Sequence, residues 1–343
     1  MAKRQSKRSS TSGSSDRSQL TFRSIDSGYV FGDTAAPPPR SYREPGLEVL
    51  GDRIVPGFLE ETYGGGELES VPGFNSKRAM TNGLDGIYGE PGTETGAEDN
   101  PLVASPRAVR RKYETVYYDP DDDRIQIRNT ARIPWRAICD LQITRETGHT
   151  TTGTGWFAGS DLVVTAGHNF LNHQEGGFAT SIIVTAGHDG TANPPYPPVT
   201  LASAYINPRW ERDADPSFDY AFLRLADDRL GRRTGYFAFA DAPDNLLRGV
   251  LVNIAGYPYD KDYGTQWYSG GRLYRVSPAR IAHYIDTEGG YSGAPLIYKR
   301  GNQRVVLAMH TQGDETADRS RYNTGVRVTG TFFDELKQAT GLS

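Results

Sequence analysis

Short apolar runs recur along the chain from Ile125 onwards, and residues typical of turns separate them. Examples are Ala137–Ile143, Gly155–Phe157, Leu162–Thr165, Ser181–Val184, Ala221–Leu225, Val250–Ala255, Trp267–Leu273, Ile281–Ile285 and Val305–Met309. Many short runs at this spacing favour an antiparallel β-sandwich or β-barrel rather than a helical bundle. One helix is predicted near the C-terminus, where Thr331 is a candidate N-cap, apolar residues recur at helical spacing and Gly341 ends the pattern. The pattern therefore predicts an all-β domain followed by a helix.

The chain before Thr115 has a different character. Residues 1–15 are basic and then Ser-rich, and the stretch up to about Arg111 is interrupted by Pro-Pro, Pro-Gly and Gly-Gly pairs. Such a composition buries too little apolar surface to offset the entropy lost on ordering. We therefore predict a largely disordered leader over residues 1–114. Short apolar islands within it, Leu47–Leu50 and Ile54–Leu59, are candidates for docking on the domain that follows.

Composition and charge exclude several classes of protein. A single cysteine, Cys139, cannot form an intrachain disulfide or a Cys-based metal framework. The formal net charge of −4 does not indicate a nucleic-acid or membrane-surface binder. The sequence has no apolar stretch of about 18 residues for a transmembrane helix, and no apolar run follows the basic N-terminus as a standard signal peptide requires. We expect neither a nucleic-acid nor a membrane partner, and the cellular location stays open.

The strongest chemical signal is a serine flanked by glycines in the segment Asp286–Pro295. Glycine permits the dihedral angles of a tight turn that approaches a ligand closely. Attack of a hydroxyl on a carbonyl also needs N–H donors aimed at the developing oxyanion, and the backbone N–H groups of Gly290 and Ser292 are placed to supply them. A Gly-Ser turn alone is common, but the proline three residues later makes this one more specific. The segment predicts Ser292 as a nucleophile.

A neutral serine needs a nearby base, usually a histidine held in one tautomer by a carboxylate. Among six histidines, His168 ends the segment Gly153–His168, which is typical of strand, turn and strand followed by a corner of small residues. Asp219 opens the apolar strand Ala221–Leu225, whose burial would place the carboxylate beside the histidine. The candidates thus follow the chain order His, Asp, Ser.

Together these motifs resemble the chymotrypsin-like serine proteases, and within them the bacterial glutamyl endopeptidases of the staphylococcal V8 type. The matching motifs are Gly-Thr-Gly with Thr-Ala-Gly-His, then Asp-Tyr-Ala, then Asp-Thr-x-Gly-Gly-x-Ser-Gly-x-Pro. The resemblance implies His168 as general base, Asp219 as its orienting carboxylate and Ser292 as nucleophile. It implies two antiparallel β-barrels, at residues 115–242 and 243–343, with substrate between them. A protease of this kind acts on proteins or peptides; we expect no cofactor and no metal site, and a monomer by default.

Other residues compete for these roles. Thr-Ala-Gly-His occurs again at Thr185–His188, but His188 lacks the preceding Gly-Thr-Gly-Trp strand and is followed by a hairpin-turn signal. Asp213 and Asp215 lie in a polar loop and precede no apolar strand directly. His149, His173 and His283 have no motif around them.

The resemblance implies that Thr287 and His310 line the specificity pocket and hold a substrate carboxylate. A hydroxyl and an imidazole can both donate to a carboxylate, and the carboxylate favours the protonated ring. We therefore predict cleavage after Glu, more weakly after Asp. A preference for small or apolar residues and a catalytically silent binding module are the alternatives. Asp286 and Glu288 flank Thr287, so a shift of one residue would change this prediction.

Two positions depart from the family pattern, and the leader invites a further hypothesis. Asn169 stands where many secreted relatives have Cys, and Gln312-Gly313 replaces a frequent Gly-Gly. In the family a precursor segment is removed just before an Asp-Asp-Arg element, which here ends at Arg124. We hypothesise that the leader is removed by a cut after Arg110–Lys112 or after Glu114, which would release an α-amine near the pocket.

Overall fold

The structure is a computed structural model, and it describes residues 20–25, 50, 53–59, 67–72, 74–75, 122–313 and 322–341. Their strands are β1 (Arg23–Ser24), β2 (Ile54–Val55), β3 (Ile125–Gln126), β4 (Ile138–Arg145), β5 (Thr150–Phe157), β6 (Leu162–Thr165), β7 (Leu171–Asn172), β8 (Gly177–Ala186), β9 (Val199–Ile206), β10 (Ala221–Leu225), β11 (Ala238–Ala240), β12 (Leu251–Gly256), β13 (Trp267–Val276), β14 (Arg280–His283), β15 (Pro295–Arg300), β16 (Gln303–Gly313) and β17 (Asn323–Arg327). Short α-helices span Gly167–Phe170, Pro208–Asp213, Arg229–Thr234 and Asp244–Leu247, a longer one spans Gly330–Ala339, and 3-10 helices span Trp135–Ala137 and Pro216–Phe218.

The first sheet closes into an antiparallel barrel. Its strands follow the order β9-β10-β6-β5-β4-β8, and β8 pairs back onto β9. The short strands β1 and β7 lie at its margins. Apolar side chains from these strands, such as Leu141, Val163 and Leu223, fill the barrel and are fully buried. The alternation of apolar and polar residues along the strands places one set inside, as antiparallel barrels require.

The second sheet closes in the same way, in the order β12-β13-β14-β17-β16-β15, with β15 pairing back onto β12. Three short strands join it from other parts of the chain: β3 pairs with β13, β11 runs parallel to β16, and β2 pairs with β11. The two six-stranded barrels confirm the predicted all-β, chymotrypsin-like fold. The boundary predicted at residues 242/243 stays a prediction, although β11, just before it, already belongs to the second sheet.

The C-terminal helix is confirmed, but it begins slightly earlier than the sequence predicts. Its N-cap is Thr329 rather than Thr331, because the helix already starts at Gly330. Phe332 and Leu336 lie on its buried face and join the core between the two barrels. No helix among the described residues is long and apolar enough to cross a membrane.

Parts of the predicted leader contact the barrels. Ile54–Val55 forms strand β2 on the second sheet, and Arg23–Ser24 forms β1 on the first. The predicted docking of the island Ile54–Leu59 is therefore confirmed, and Leu50 is also buried. The hypothesised cut sites, Arg110–Lys112 and Glu114, lie outside the described residues.

Candidate active site

A one-turn helix after β6 carries His168, which forms two hydrogen bonds with Asp219. The ring Nδ1 of His168 lies 2.8 Å from Asp219 Oδ2, and the backbone N–H of His168 donates to Asp219 Oδ1, also over 2.8 Å. The carboxylate is 1% exposed, whereas the imidazole is 23% exposed. A carboxylate only accepts hydrogen bonds, so Nδ1 carries the ring proton and Nε2 is left as the basic nitrogen.

Neighbouring elements hold both partners in place. Asp219 follows the 3-10 helix Pro216–Phe218 and precedes β10, and the next residue, Tyr220, stacks on Phe332 of the C-terminal helix at 4.2 Å between ring centroids. Buried Arg145 donates to the carbonyl of His168 at 2.9 Å from the opposite side. The C-terminal helix thus packs against the residue that follows Asp219, and Arg145 holds the backbone at His168.

Ser292 lies on a turn that only glycine neighbours allow. Gly290 has φ +98° and Gly293 has φ +94°, a region that side chains with a Cβ rarely adopt. A Cβ on Gly293 would lie 2.0 Å from the carbonyl oxygen of Thr154, and one on Gly290 would lie 2.1 Å from that of Tyr257. The glycines flanking the serine are therefore required by close backbone contacts.

Hydrogen bonds from the first barrel hold this turn, although it belongs to the second. The carbonyl of Ser292 accepts from the backbone N–H of Thr154 at 2.9 Å and from Asn169 Nδ2 at 2.9 Å. The hydroxyl of Thr154 donates to the carbonyl of Gly290 at 2.7 Å. Asn169 is the residue after His168, so the segment that carries the predicted base is hydrogen-bonded to the segment that carries the predicted nucleophile.

The backbone around the proposed oxyanion donors is also held. Tyr259 donates its backbone N–H to the carbonyl of Gly289 at 2.7 Å, and its hydroxyl reaches the carbonyl of Thr152. The Ser292 hydroxyl donates to the carbonyl of Thr311 over 3.2 Å. The bond from Tyr259 to Gly289 fixes the peptide between Gly289 and Gly290, and that peptide carries the N–H group predicted to bind the oxyanion.

The predicted pocket residues are both buried, Thr287 at 3% and His310 at 5% exposed. His310 lies beside the nucleophile turn, since its carbonyl accepts from the N–H of Gly293 at 2.8 Å. Its Nδ1 lies 3.3 Å from Nε2 of His283, which strand pairing through β14, β17 and β16 brings alongside. Sequence reasoning assigned His283 no role, because nothing local marks it.

Burial keeps this histidine pair neutral. It lowers the pKa of His283 to about 3. Burial is also the largest cause that holds the pKa of His310 well below its ordinary 6.5, followed by the positive charges that His283, His168 and Arg280 can carry nearby. Without a substrate carboxylate the buried His310 ring is therefore neutral, and the expectation that a bound carboxylate favours the protonated ring stays a prediction.

The competing residues have other partners. His188 Nδ1 lies 2.8 Å from Asp140 Oδ2. Burial alone would lower the pKa of His188, but this hydrogen bond, the charges of Asp140 and Asp189 and a hydrogen bond to the backbone of Thr191 together raise it. Asp213 is an exposed partner of Arg212. Asp215 caps the 3-10 helix before Asp219. Within the described residues, no cluster of His, Cys, Asp or Glu side chains could hold a metal ion.

Asp286, which sequence reasoning left open, accepts the backbone N–H of Asp123 at 2.9 Å. Asp123 also accepts from the hydroxyl of Ser269 at 2.8 Å. The buried Arg124 bonds both Asp122 and Asp260. The segment at the start of the protease domain is thus anchored next to Thr287.

Comparison with known proteins gives the family. Residues 153–308 match the model of the trypsin-like peptidase domain. A glutamyl endopeptidase of Bacillus licheniformis is 32% identical over 259 residues, which are 73% of this chain and 78% of that protein. A Bacillus subtilis protein named an extracellular metalloprotease is 28% identical over 63% of this chain and 67% of its own length.

Solved structures agree on the fold. The structure of a Glu endopeptidase in complex with MPD has a TM-score of 0.57 to this one at 23% identity, covering 64% of this chain and 98% of that chain. A protease from Arthrobacter nicotinovorans has a TM-score of 0.50 at 20% identity, covering 61% of this chain and 96% of that chain. With the sequence relatives above, the conclusion is that the chain belongs to the glutamyl endopeptidase family of trypsin-like serine proteases, and is a serine endopeptidase.

Proposed function

We propose that this protease cleaves on the carboxyl side of glutamate, with His168, Asp219 and Ser292 as its catalytic residues. The observation that carries the catalytic assignment is the doubly hydrogen-bonded pair of His168 and Asp219, next to a serine turn tied to it by Asn169. This arrangement supplies a base with a fixed tautomer and a nucleophile on a rigid turn, the two requirements of acyl transfer.

The chemistry follows from these roles. Ser292 Oγ attacks the peptide carbonyl carbon while His168 Nε2 takes its proton, and the N–H groups of Gly290 and Ser292 stabilise the oxyanion. The imidazolium then protonates the leaving amine as the C–N bond breaks, which leaves an ester on Ser292. A water molecule, deprotonated by His168, attacks the ester; the imidazolium returns the proton to Ser292 Oγ as the ester C–O bond breaks, which releases the new carboxyl end. Asp219 keeps the ring oriented throughout and stabilises its charged form.

The buried pocket supports the preference for glutamate. A histidine–histidine hydrogen bond needs one proton between the rings, and buried N–H groups need acceptors. When that proton is on His283 Nε2, it is donated to His310 Nδ1, which leaves His310 Nε2–H as a donor. Together with the Thr287 hydroxyl, it offers a carboxylate two neutral donors.

A digest of an unstructured protein tests the preference directly. Mass spectrometry of the products should show new C-termini at Glu, fewer at Asp and almost none elsewhere, and the Ser292→Ala variant should give none. Cleavage after small or apolar residues would refute the pocket assignment while leaving the catalytic residues intact. Matched peptides with Glu or Gln before the cut then measure the carboxylate alone.

The catalytic assignment has its own test. A fluorophosphonate probe should label Ser292, and labelling should be lost in Ser292→Ala and in His168→Ala. Absence of labelling in the folded parent protein would refute the proposed nucleophile and favour a silent binding module.

A further inference from the structure

We propose that the second barrel carries a permanent binding surface for the leader, formed by Asn253, Arg304 and the edge of β11, and that the described leader residues 53–59, 67–72 and 74–75 stay bound to it after any cut between residues 76 and 121. The partner of this surface is a segment of the same chain. The proposal does not depend on which peptide bond the protease prefers.

Backbone hydrogen bonds extend the sheet with leader residues. Strand β2 pairs antiparallel with β11, and further along Phe58 and Tyr236 exchange backbone hydrogen bonds at 2.7 and 2.9 Å. Gly235 has φ +75°, and a Cβ there would lie 2.2 Å from the carbonyl oxygen of Phe58. A strand added to a sheet edge in this way binds through main-chain hydrogen bonds, and the glycine allows the close approach.

A buried ion pair joins the next part of the leader to the barrel. Arg304 Nε lies 2.5 Å from Glu69 Oε1, and a second guanidinium nitrogen lies 3.1 Å from Oε2. The two side chains are only 3% and 8% exposed. Arg304 belongs to β16, so replacing the Glu69 carboxylate while the leader stays bound would leave a buried guanidinium without this partner. Breaking one side of a buried pair is strongly destabilising, because it leaves an uncompensated charge.

Asn253, fully buried in β12, holds the same stretch of the leader by its backbone. Its Oδ1 accepts the N–H of Glu69 at 2.7 Å, and its Nδ2 donates to the carbonyl of Glu67 at 2.9 Å. An amide side chain that donates one hydrogen bond to a backbone segment and accepts another from it makes the same bonds as the backbone of a neighbouring strand would. Asn253 therefore recognises the leader as an extended peptide.

Apolar contacts complete the surface. Leu50 is 1% exposed within the core of the second barrel, and Val55 is 4% exposed in the core between the barrels. Phe74 packs edge-on against Tyr268 of β13 at 4.8 Å between ring centroids. Removing these leader side chains would open the core itself, so the leader contributes to the fold rather than covering a finished barrel.

The surface lies away from the reacting end of the barrel. Arg304 precedes His310 by six residues on the same strand, which is roughly 20 Å at about 3.3 Å per residue. The ion pair therefore forms at the opposite end of β16 from the nucleophile turn. A leader bound there can remain in place without blocking the site.

The test uses the full chain as Ser292→Ala, with residues 100–106 replaced by the recognition sequence of a site-specific protease. After that cut, both fragments should elute together from a sizing column in native buffer and separate in guanidinium. Adding Glu69→Gln should speed release of the labelled N-terminal fragment at least tenfold. The matched control is Glu67→Gln, because Glu67 is exposed and only its backbone carbonyl contacts Asn253.

Separate elution in the parent, or equal release rates for Glu69→Gln and Glu67→Gln, would overturn the proposal. A second measurement needs no substitution in the leader. In the uncut Ser292→Ala chain, the amides of Phe58 and Glu69 should exchange hydrogen as slowly as those of the barrel strands. Exchange within seconds, as in an unprotected peptide, would also overturn it.

Discussion

Replacing Asp219 with asparagine tests the catalytic pair most directly, because the structure fixes how the new amide must point. Asp219 Oδ1 accepts the backbone N–H of His168 at 2.8 Å, and a backbone N–H can only donate. The oxygen of the introduced amide must therefore take that position. Its NH2 group then faces His168 Nδ1, which has to accept, so the ring proton moves to Nε2. In that tautomer the ring cannot take the proton of Ser292.

The expected loss follows from that single proton. An inverted tautomer in a triad of this type costs a factor of about 10⁴ in kcat, or roughly 5.5 kcal/mol in the activation free energy. KM should change little, since Asp219 is buried and does not reach substrate. The fold should survive, because the asparagine keeps both hydrogen-bonding positions and nearly the same volume.

The assay is steady-state hydrolysis of a peptide with Glu before the cut, beside thermal unfolding of each variant. Asp213→Asn is the matched control: Asp213 is exposed and pairs only with Arg212 in the described structure, so its kcat should equal that of the parent. If Asp219→Asn retained more than a tenth of the parent kcat while folded, Asp219 would not be the residue that orients the base.

Three further outcomes are expected. Lowering the pH from 7 to 5 should reduce the free energy of unfolding, because below about pH 6.5 the unfolded chain binds protons that buried His283 and His310 do not. In urea titrations, the free energy of unfolding should fall by up to about 1.4 kcal/mol per pH unit for each of the two histidines, and a free energy that does not change with pH would contradict this. Gly293→Ala should abolish hydrolysis, whereas Gly249→Ala, also at positive φ but with open space around it, should leave kcat unchanged. Asn169→Ala should lower kcat about tenfold, the equivalent of one hydrogen bond of ~1–1.5 kcal/mol, and an unchanged kcat would show that its contact to the nucleophile turn is dispensable.

The site residues that could be predicted from the sequence are those whose neighbours in the chain form a recognisable motif. Gly290 and Gly293 are needed because the backbone folds tightly around Ser292, and such glycines leave a mark within ten residues of chain. His168 follows a strand and turn whose small residues are visible in the same window. The barrels could likewise be predicted from short apolar runs, since strand alternation is a property of neighbouring residues.

Contacts between distant segments left no such mark. His283 adjoins His310 only because β14 and β16 both pair with β17, so its neutral, buried state could not be read from its neighbours in the chain. Glu69 and Arg304 are separated by 235 positions. The leader's polar composition predicted disorder, but one buried carboxylate and a few apolar residues are enough to hold described parts of it against the barrel.

Asn169, which stands where many secreted relatives have cysteine, has a structural role in this protein. Its Nδ2 donates to the hydroxyl of Thr165 at 2.8 Å and to the carbonyl of Ser292 at 2.9 Å, so one side chain links β6 of the first barrel to the nucleophile turn of the second. Thr154 makes the second link through its own backbone and hydroxyl. Because the proposed base and nucleophile lie on different barrels, their separation depends on how the barrels pack. Asn169 and Thr154 fix that packing beside the proposed path of the proton, so we expect reactivity to depend on these polar contacts as well as on the three proposed catalytic side chains.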